Sequence, residues 1–163
     1  MRYIIRVSLF FFIASMVFAC TSPKEKSLKT IKDLEAGDSA FSDELIQKLK
    51  TAYTDFANKY PDDQQSAEFL FKAAQKSIYL DQPKEAVEYL DQLVKNYPSS
   101  PMVEEAMFLS AYTVENNIQD YPAAKTRYES FLAKYPKGEL ADDARFSMEH
   151  MGQSADELLE DKE

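Results

Sequence analysis

The sequence predicts an all-α chain folded as an antiparallel helix-pair solenoid, and three observations carry that prediction. Tyr-Pro recurs at Tyr60-Pro61, Tyr97-Pro98 and Tyr135-Pro136, 37 and then 38 residues apart, a period proper to helical repeats. Apolar residues keep register with each Pro: Leu49, Ala86 and Ala124, then Tyr53, Leu90 and Tyr128, then Phe56, Leu93 and Phe131. Their 0, +4, +7 spacing is one face of an α-helix. Finally, Gly138 is the one Gly between Asp43 and Met151, in a stretch rich in the helix formers Ala, Leu, Glu and Lys.

Taken in order, residues 1–19 read as an export signal. Arg2 and Arg6 give a positive start, Val7 to Phe18 is apolar apart from Ser8 and Ser15, and Ala19 precedes Cys20. The apolar run is short for a membrane span, which needs roughly 20 residues. Val17-Phe18-Ala19-Cys20 resembles a bacterial lipobox, with Phe18 where a smaller residue is usual. On that reading Cys20, the sole Cys, becomes the lipid-bearing N-terminus and the membrane attachment point. An uncleaved anchor or an ordinary signal peptide are the alternatives. Residues 20–42 are then lipidated Cys and tether, polar and turn-rich from Thr21 to Lys26, with Leu28 to Asp38 able to form a short helix.

From 43 to 163 the pattern is a repeat domain. Helices are expected at 43–59, 65–80, 83–96, 101–117, 121–134 and 139–151, with a short one at 154–160. Pro83 and Pro122 fit first helical turns, where a missing N–H costs nothing. Ser100-Pro101 looks like a cap followed by a first-turn Pro. Ser154 to Glu157 reads as a capping box ahead of Leu158-Leu159, and the chain ends in an acidic tail at Glu157, Glu160, Asp161 and Glu163.

Composition removes most chemistries. A single Cys and a single His exclude a disulfide framework, a Cys-based zinc cluster and a His-pair metal site within one chain. A net charge of −9 argues against nucleic-acid binding, which needs a basic surface. The chain has no Gly-rich phosphate loop and no HExxH. Asp62-Asp63 and Asp142-Asp143 each fall at an expected helix start, where carboxylates favour the dipole. No enzyme activity, cofactor or metal is expected.

The helix pairs and their register resemble tetratricopeptide repeats. Ala86-Leu90-Pro98 and Ala124-Tyr128-Pro136 follow that pattern, and Ala74 and Ala111 supply the small residue of the first helices. Leu70 and Met107 stand where Trp is usual. Tyr97-Pro98-Ser99-Ser100-Pro101 leading to Ala106-Met107-Phe108 resembles the units of bacterial outer-membrane lipoproteins of the BamD-like and Tol–Pal-associated kinds. The run Leu140 to Phe146, with Gly152-Gln153-Ser154, is similar to small repeat lipoproteins of Bacteroidetes. The resemblance covers about 43–160; the chain departs from it in holding about two and a half helix pairs, fewer than BamD-like proteins carry, with the third unit a cap whose exposed face the 154–160 helix covers. The resemblance implies a lipid-anchored adaptor on the periplasmic face of the outer membrane, in barrel assembly or Tol–Pal-type complexes. A homo-oligomerising structural protein and a small-ligand or glycan-binding lipoprotein are the other readings.

In such a solenoid the first helices line a concave face. The positions expected there are Glu68, Phe71, Gln75, Ile78 and Tyr79, then Glu105, Phe108, Tyr112, Glu115 and Asn116, then Asp143, Phe146 and His150. Phe71, Phe108 and Phe146 recur at one repeat position and are expected in the core between units. The remaining candidates for contact with another envelope protein or peptide are Gln75, Tyr79, Glu105, Tyr112, Glu115 and Asn116.

Overall fold

The computed structural model describes residues 22–37 and 42–153. The export signal, Cys20, the 154–160 helix and the acidic tail lie outside the described residues. Those that are described form helices and no strand. They are α1 (Pro23–Glu35), α2 (Asp43–Lys59), α3 (Gln65–Tyr79), α4 (Pro83–Asn96), α5 (Val103–Thr113), a π-helical turn (Val114–Ile118), α6 (Tyr121–Lys134) and α7 (Ala141–Glu149). Each helix packs on its neighbours in sequence, as a solenoid requires.

Each second helix ends for the same reason. The ring of the following Pro clashes with an α-helical residue before it, so Tyr60, Tyr97 and Tyr135 leave the helix at φ −129°, −127° and −127° with ψ 60°, 55° and 62°. Each Tyr N–H still closes the last helical bond, to Phe56, Leu93 and Phe131. Each Tyr carbonyl then accepts from the residue three further on, Asp63, Ser100 or Gly138, whose own carbonyl accepts from Ser66, Val103 or Ala141. One loop is thus built three times. Tyr97 also donates its Oη to the Pro61 carbonyl at 2.8 Å, tying the second loop to the first.

The turn between the two helices of a pair also repeats. Asp81 and Gln119 both adopt the left-handed conformation, at φ 56° and 60°, each two residues ahead of the next helix. Gly152, at φ 80°, takes the same conformation two residues after α7's cap. Small residues let the helices approach: Ala74, Ala86, Ala111 and Ala124 are all fully buried, around Leu90, Leu93, Tyr128 and Phe131.

Several expected helix bounds are corrected. The first helix starts at Pro23 rather than Leu28, because Ser22 and Glu25 form a reciprocal capping box, so most of the expected tether is helical. The pairs α3–α4 and α5–α6 with the lone α7 make the expected two and a half repeats, and α1 and α2 pack ahead of them. The helix expected at 101–117 begins at Val103, since the third-residue bond of the Tyr97 loop holds Ser100 to Met102 in a turn, with Ser100 Oγ accepting from the Met102 N–H. The expected 65–80 and 139–151 shorten to 65–79 and 141–149.

The one-residue difference between the repeats has a visible cause. From Phe71 to Asp81 is ten residues, and from Phe108 to Gln119 eleven. The additional residue widens the end of the helix into the π turn. Val114 and Glu115 both turn inward there, where α3 has only Ser77.

Polar side chains join the pairs. Lys50 runs its chain through the core, and its Nζ meets Gln82 Oε1 at 2.5 Å and Glu85 Oε2 at 2.7 Å. Arg127 grips Asp91 through both nitrogens, at 2.7 and 2.9 Å, and donates to Ser110 Oγ at 2.8 Å.

Two carboxylates fasten α1. The Lys24 ammonium, paired with Asp63, holds that carboxyl below its ordinary 3.8. Burial would raise Glu35, but hydrogen bonds from Tyr53 and Lys72 prevail and leave it below its ordinary 4.5. Both folded values are depressed, so their stabilisation is complete above about pH 4.5 and fades as pH falls through the lower folded values. On acidification, the NMR chemical shifts of α1 should therefore move toward random coil at a higher pH than those of α3 and α4. Loss of all helices in one step would contradict this.

Candidate partner-binding surface

The first helices α3, α5 and α7 share a face that the core does not use up. Tyr79 is 58% exposed, Tyr112 45% and Phe146 55%. They stand 18, 14 and 10 residues after their respective Pro. Each successive unit therefore presents its aromatic one helical turn nearer the Tyr-Pro loop, in a diagonal row. Exposed aromatics in such a row are an unusual use of surface.

The row rests on the core at Tyr112. Tyr112 stacks on Phe108 with centroids 6.2 Å apart, and Phe108 sits edge-on to Tyr128 and Phe131 at 5.8 and 5.9 Å. Phe146 lies 4.4 Å from the His150 ring, whose Nδ1 is paired with Gln153 Oε1 at 2.9 Å. Gln75, Glu105 and Asn116 are exposed, and Asn116 spends its amide on the Tyr112 carbonyl at 3.1 Å. Glu68 is half-buried and paired with Lys72 at 2.9 Å, Ile78 packs against the core, and Asp143 is exposed.

Two placements differ from the expectation. Phe71 is buried and Phe108 half-buried, but Phe146 is open, because among the described residues no later helix covers it as α6 covers Phe108. Glu115 is not a surface residue. The π turn carries it inward to 9% exposure, and its Oε2 accepts from Tyr128 Oη at 2.8 Å. Burial and that carboxylate together push the Tyr128 hydroxyl well above its usual pKa, so it stays a donor. A 3.6-residue count places Glu115 beside Ile78, and the extra residue in the 38-residue repeat is the signal that could have warned of the difference.

A groove of ≈ 470 Å³ also opens between α1 and α2, lined by Ser27, Thr30, Leu34, Gln47, Thr51 and Phe56. Sequence reasoning missed it because α1 had no fixed register. Among the described residues no three His, Cys, Asp or Glu side chains stand together to hold a metal ion, and no helix is long and apolar enough to cross a membrane.

The Tyr128–Glu115 bond yields a test. Tyr128→Phe strands a buried carboxylate oxygen and should cost about 1–3 kcal/mol in urea unfolding. Adding Glu115→Met removes both partners and should restore most of the loss. A double variant no better than the single one would mean that the bond is not what Tyr128 supplies.

In comparisons with known proteins, residues 61–157, more than half of the chain, match the family described as YfiO, outer membrane lipoprotein. No curated protein matches the chain.

Proposed function

The chain belongs to the YfiO family of outer membrane lipoproteins, and from that premise we propose that it is a lipid-anchored, non-enzymatic adaptor of the cell envelope. Residues 1–19 are removed, Cys20 carries the lipid, residues 20–42 join it to the repeat domain at 43–163, and the domain stands on the periplasmic face of the outer membrane. Its first-helix face captures a protein partner of the envelope, with outer-membrane barrel assembly the leading pathway and a Tol–Pal-type complex the second.

The observation that carries the reading is the open row Tyr79, Tyr112, Phe146 across three successive units. Aromatics supply anchoring area at small entropic cost, and the exposed Gln75, Glu105 and Asn116 beside them offer hydrogen bonds that fix register. Anchoring adds the mechanism. Confinement at the membrane raises the effective concentration of the captured protein beside whatever else is held there, without any new contact.

In-cell cross-linking and pull-down of the full-length protein should return one dominant envelope protein, reduced by Cys20→Ala. Tyr112→Ala should weaken that capture while leaving Tm nearly unchanged, since the ring is half-exposed and rests on Phe108 alone among the aromatics. Undiminished capture would move the contact off this face. Self-cross-links alone would favour a homo-oligomeric envelope protein.

A further inference from the structure

We propose that α7 is the open half of a helix pair, completed by a basic amphipathic helix of another protein. The inference rests on the adaptor reading above and names the chemistry of the segment captured.

The repeat itself shows what a cover looks like. Phe71 shares a buried cluster with Leu90 and Leu93 of α4, and Phe108 sits edge-on to Tyr128 and Phe131 of α6. Phe146 holds the same place, ten residues after its Pro, on a helix whose other side is packed through Ala144 beside Tyr128 and Phe131. Yet its ring stands open.

The residues that follow do not carry such a cover. In the two complete pairs the buried Ala and the large residue of the stripe stand five and nine residues after the left-handed turn: Ala86 and Leu90 after Asp81, Ala124 and Tyr128 after Gln119. Counted alike from Gly152 they are Glu157 and Asp161. A start one residue later, with Ser154 as cap, brings Leu158 opposite Glu149 and Lys162 opposite Phe146. Neither register sets an apolar side chain on the ring, and an ionised one would lose water to lie there. A second copy fares no better. The stripes of its second helices are already buried at Leu90, Leu93, Tyr128 and Phe131. Two α7 faces set together would oppose Asp142, Asp143 and Glu149 with their own kind.

Charge then states what the partner carries. Asp142, Asp143 and Glu149 are exposed on α7, while Arg145 is held by Asp142 at 2.7 Å and by the Pro136 carbonyl at 2.6 Å. Lys137 and Glu139, in the loop before α7, offset one another. Glu149 stands where the earlier first helices have the buried Ala74 and Ala111. A helix packed antiparallel on α7, as α4 and α6 pack on their own partners, therefore carries Lys or Arg opposite Glu149. Apolar residues four and seven positions further on cover Phe146, and basic ones follow beside Asp142 and Asp143. Such a stripe of anchors is how amphipathic helices dock on a partner.

The chain's own α6 supplies a probe, a labelled peptide of residues 121–137, in which Lys125, Arg127, Lys134 and Lys137 outnumber Glu129. Its fluorescence anisotropy is followed on titration with the full-length protein in phosphatidylcholine nanodiscs. Phe146→Ser should weaken binding about tenfold, as loss of one aromatic anchor does, with Tm unchanged; equal binding would overturn the proposal. Ala124→Lys in the peptide should tighten binding several-fold, and Glu149→Gln in the protein should abolish that gain. A gain that survives Glu149→Gln would overturn the basic residue assigned opposite it. Dimers in sedimentation that Phe146→Ser dissolves would give the seat to a second copy, and binding seen only after Leu158→Ser with Leu159→Ser would give it to the chain's own next residues; either overturns the proposal. Envelope capture keeps the two readings apart. Capture weakened by Tyr112→Ala, together with a peptide indifferent to Phe146, would sink this inference alone. Capture indifferent to both residues would sink the adaptor face as well.

Discussion

Everything in this molecule hangs on one steric prohibition, the clash between a Pro ring and an α-helical residue before it. It acts at Tyr60, Tyr97 and Tyr135, and forces nearly the same pair of dihedrals at each. Because the break is local and rigid, the hydrogen bonds that follow are the same three times. Identical junctions relate successive helix pairs by similar rotations, and that is what allows Ala74, Ala86, Ala111 and Ala124 to meet their neighbours at equivalent places. The Tyr is not incidental. Tyr97 spends its hydroxyl on the loop before it, whereas Tyr60, with no earlier Tyr-Pro loop to reach, buries its hydroxyl without a partner among the described residues.

Departures from the repeat gather in the second and third units. The extra residue of the 38-residue period goes into a π turn, the place where a helix absorbs an insertion without shifting everything after it. Its consequence is a buried carboxylate, satisfied by the one hydroxyl that the second-helix position 128 provides. Gly138 follows from packing rather than from dihedral need. The Glu104 carboxylate lies so close that any side chain there would collide with it, and one of its oxygens is buried without a partner. The equivalent residues of the first two loops, Asp63 and Ser100, instead accept a backbone N–H of the turn that follows.

The same geometry divides the surface by task. Second helices turn their apolar registers inward almost completely, so Leu90, Leu93, Tyr128 and Phe131 leave nothing for a partner. The first helices α3 and α5 are covered on both sides and still keep one open stripe, where Tyr79 and Tyr112 stand exposed, while Phe146 of α7 is open because among the described residues no later helix covers it. A repeat scaffold serves as an adaptor for that reason: its core comes from one set of positions, and the remaining face is free to vary. The family to which the chain belongs is described as outer membrane lipoprotein.

The sequence by itself determined the helices, their pairing and the turns between them. These depend on interactions reaching three or four residues, and Pro, caps and apolar spacing report them directly. α2, α4 and α6 fall at the expected residues for this reason. Local signals also sufficed for Ala74 and Ala111, whose burial follows from repeat position alone. What the sequence left to tertiary structure was the state of side chains at places where the repeat breaks or stops. Glu115 faces inward because a widened turn rotates it. Phe146 stays open because burial there depends on a covering helix and not on its own register. The attachment of α1 was decided by contacts with Asp63, Tyr53 and Lys72, which lie far off in the chain. Periodicity carries no information about such pairs, because each is set by where the completed stack happens to bring two side chains together.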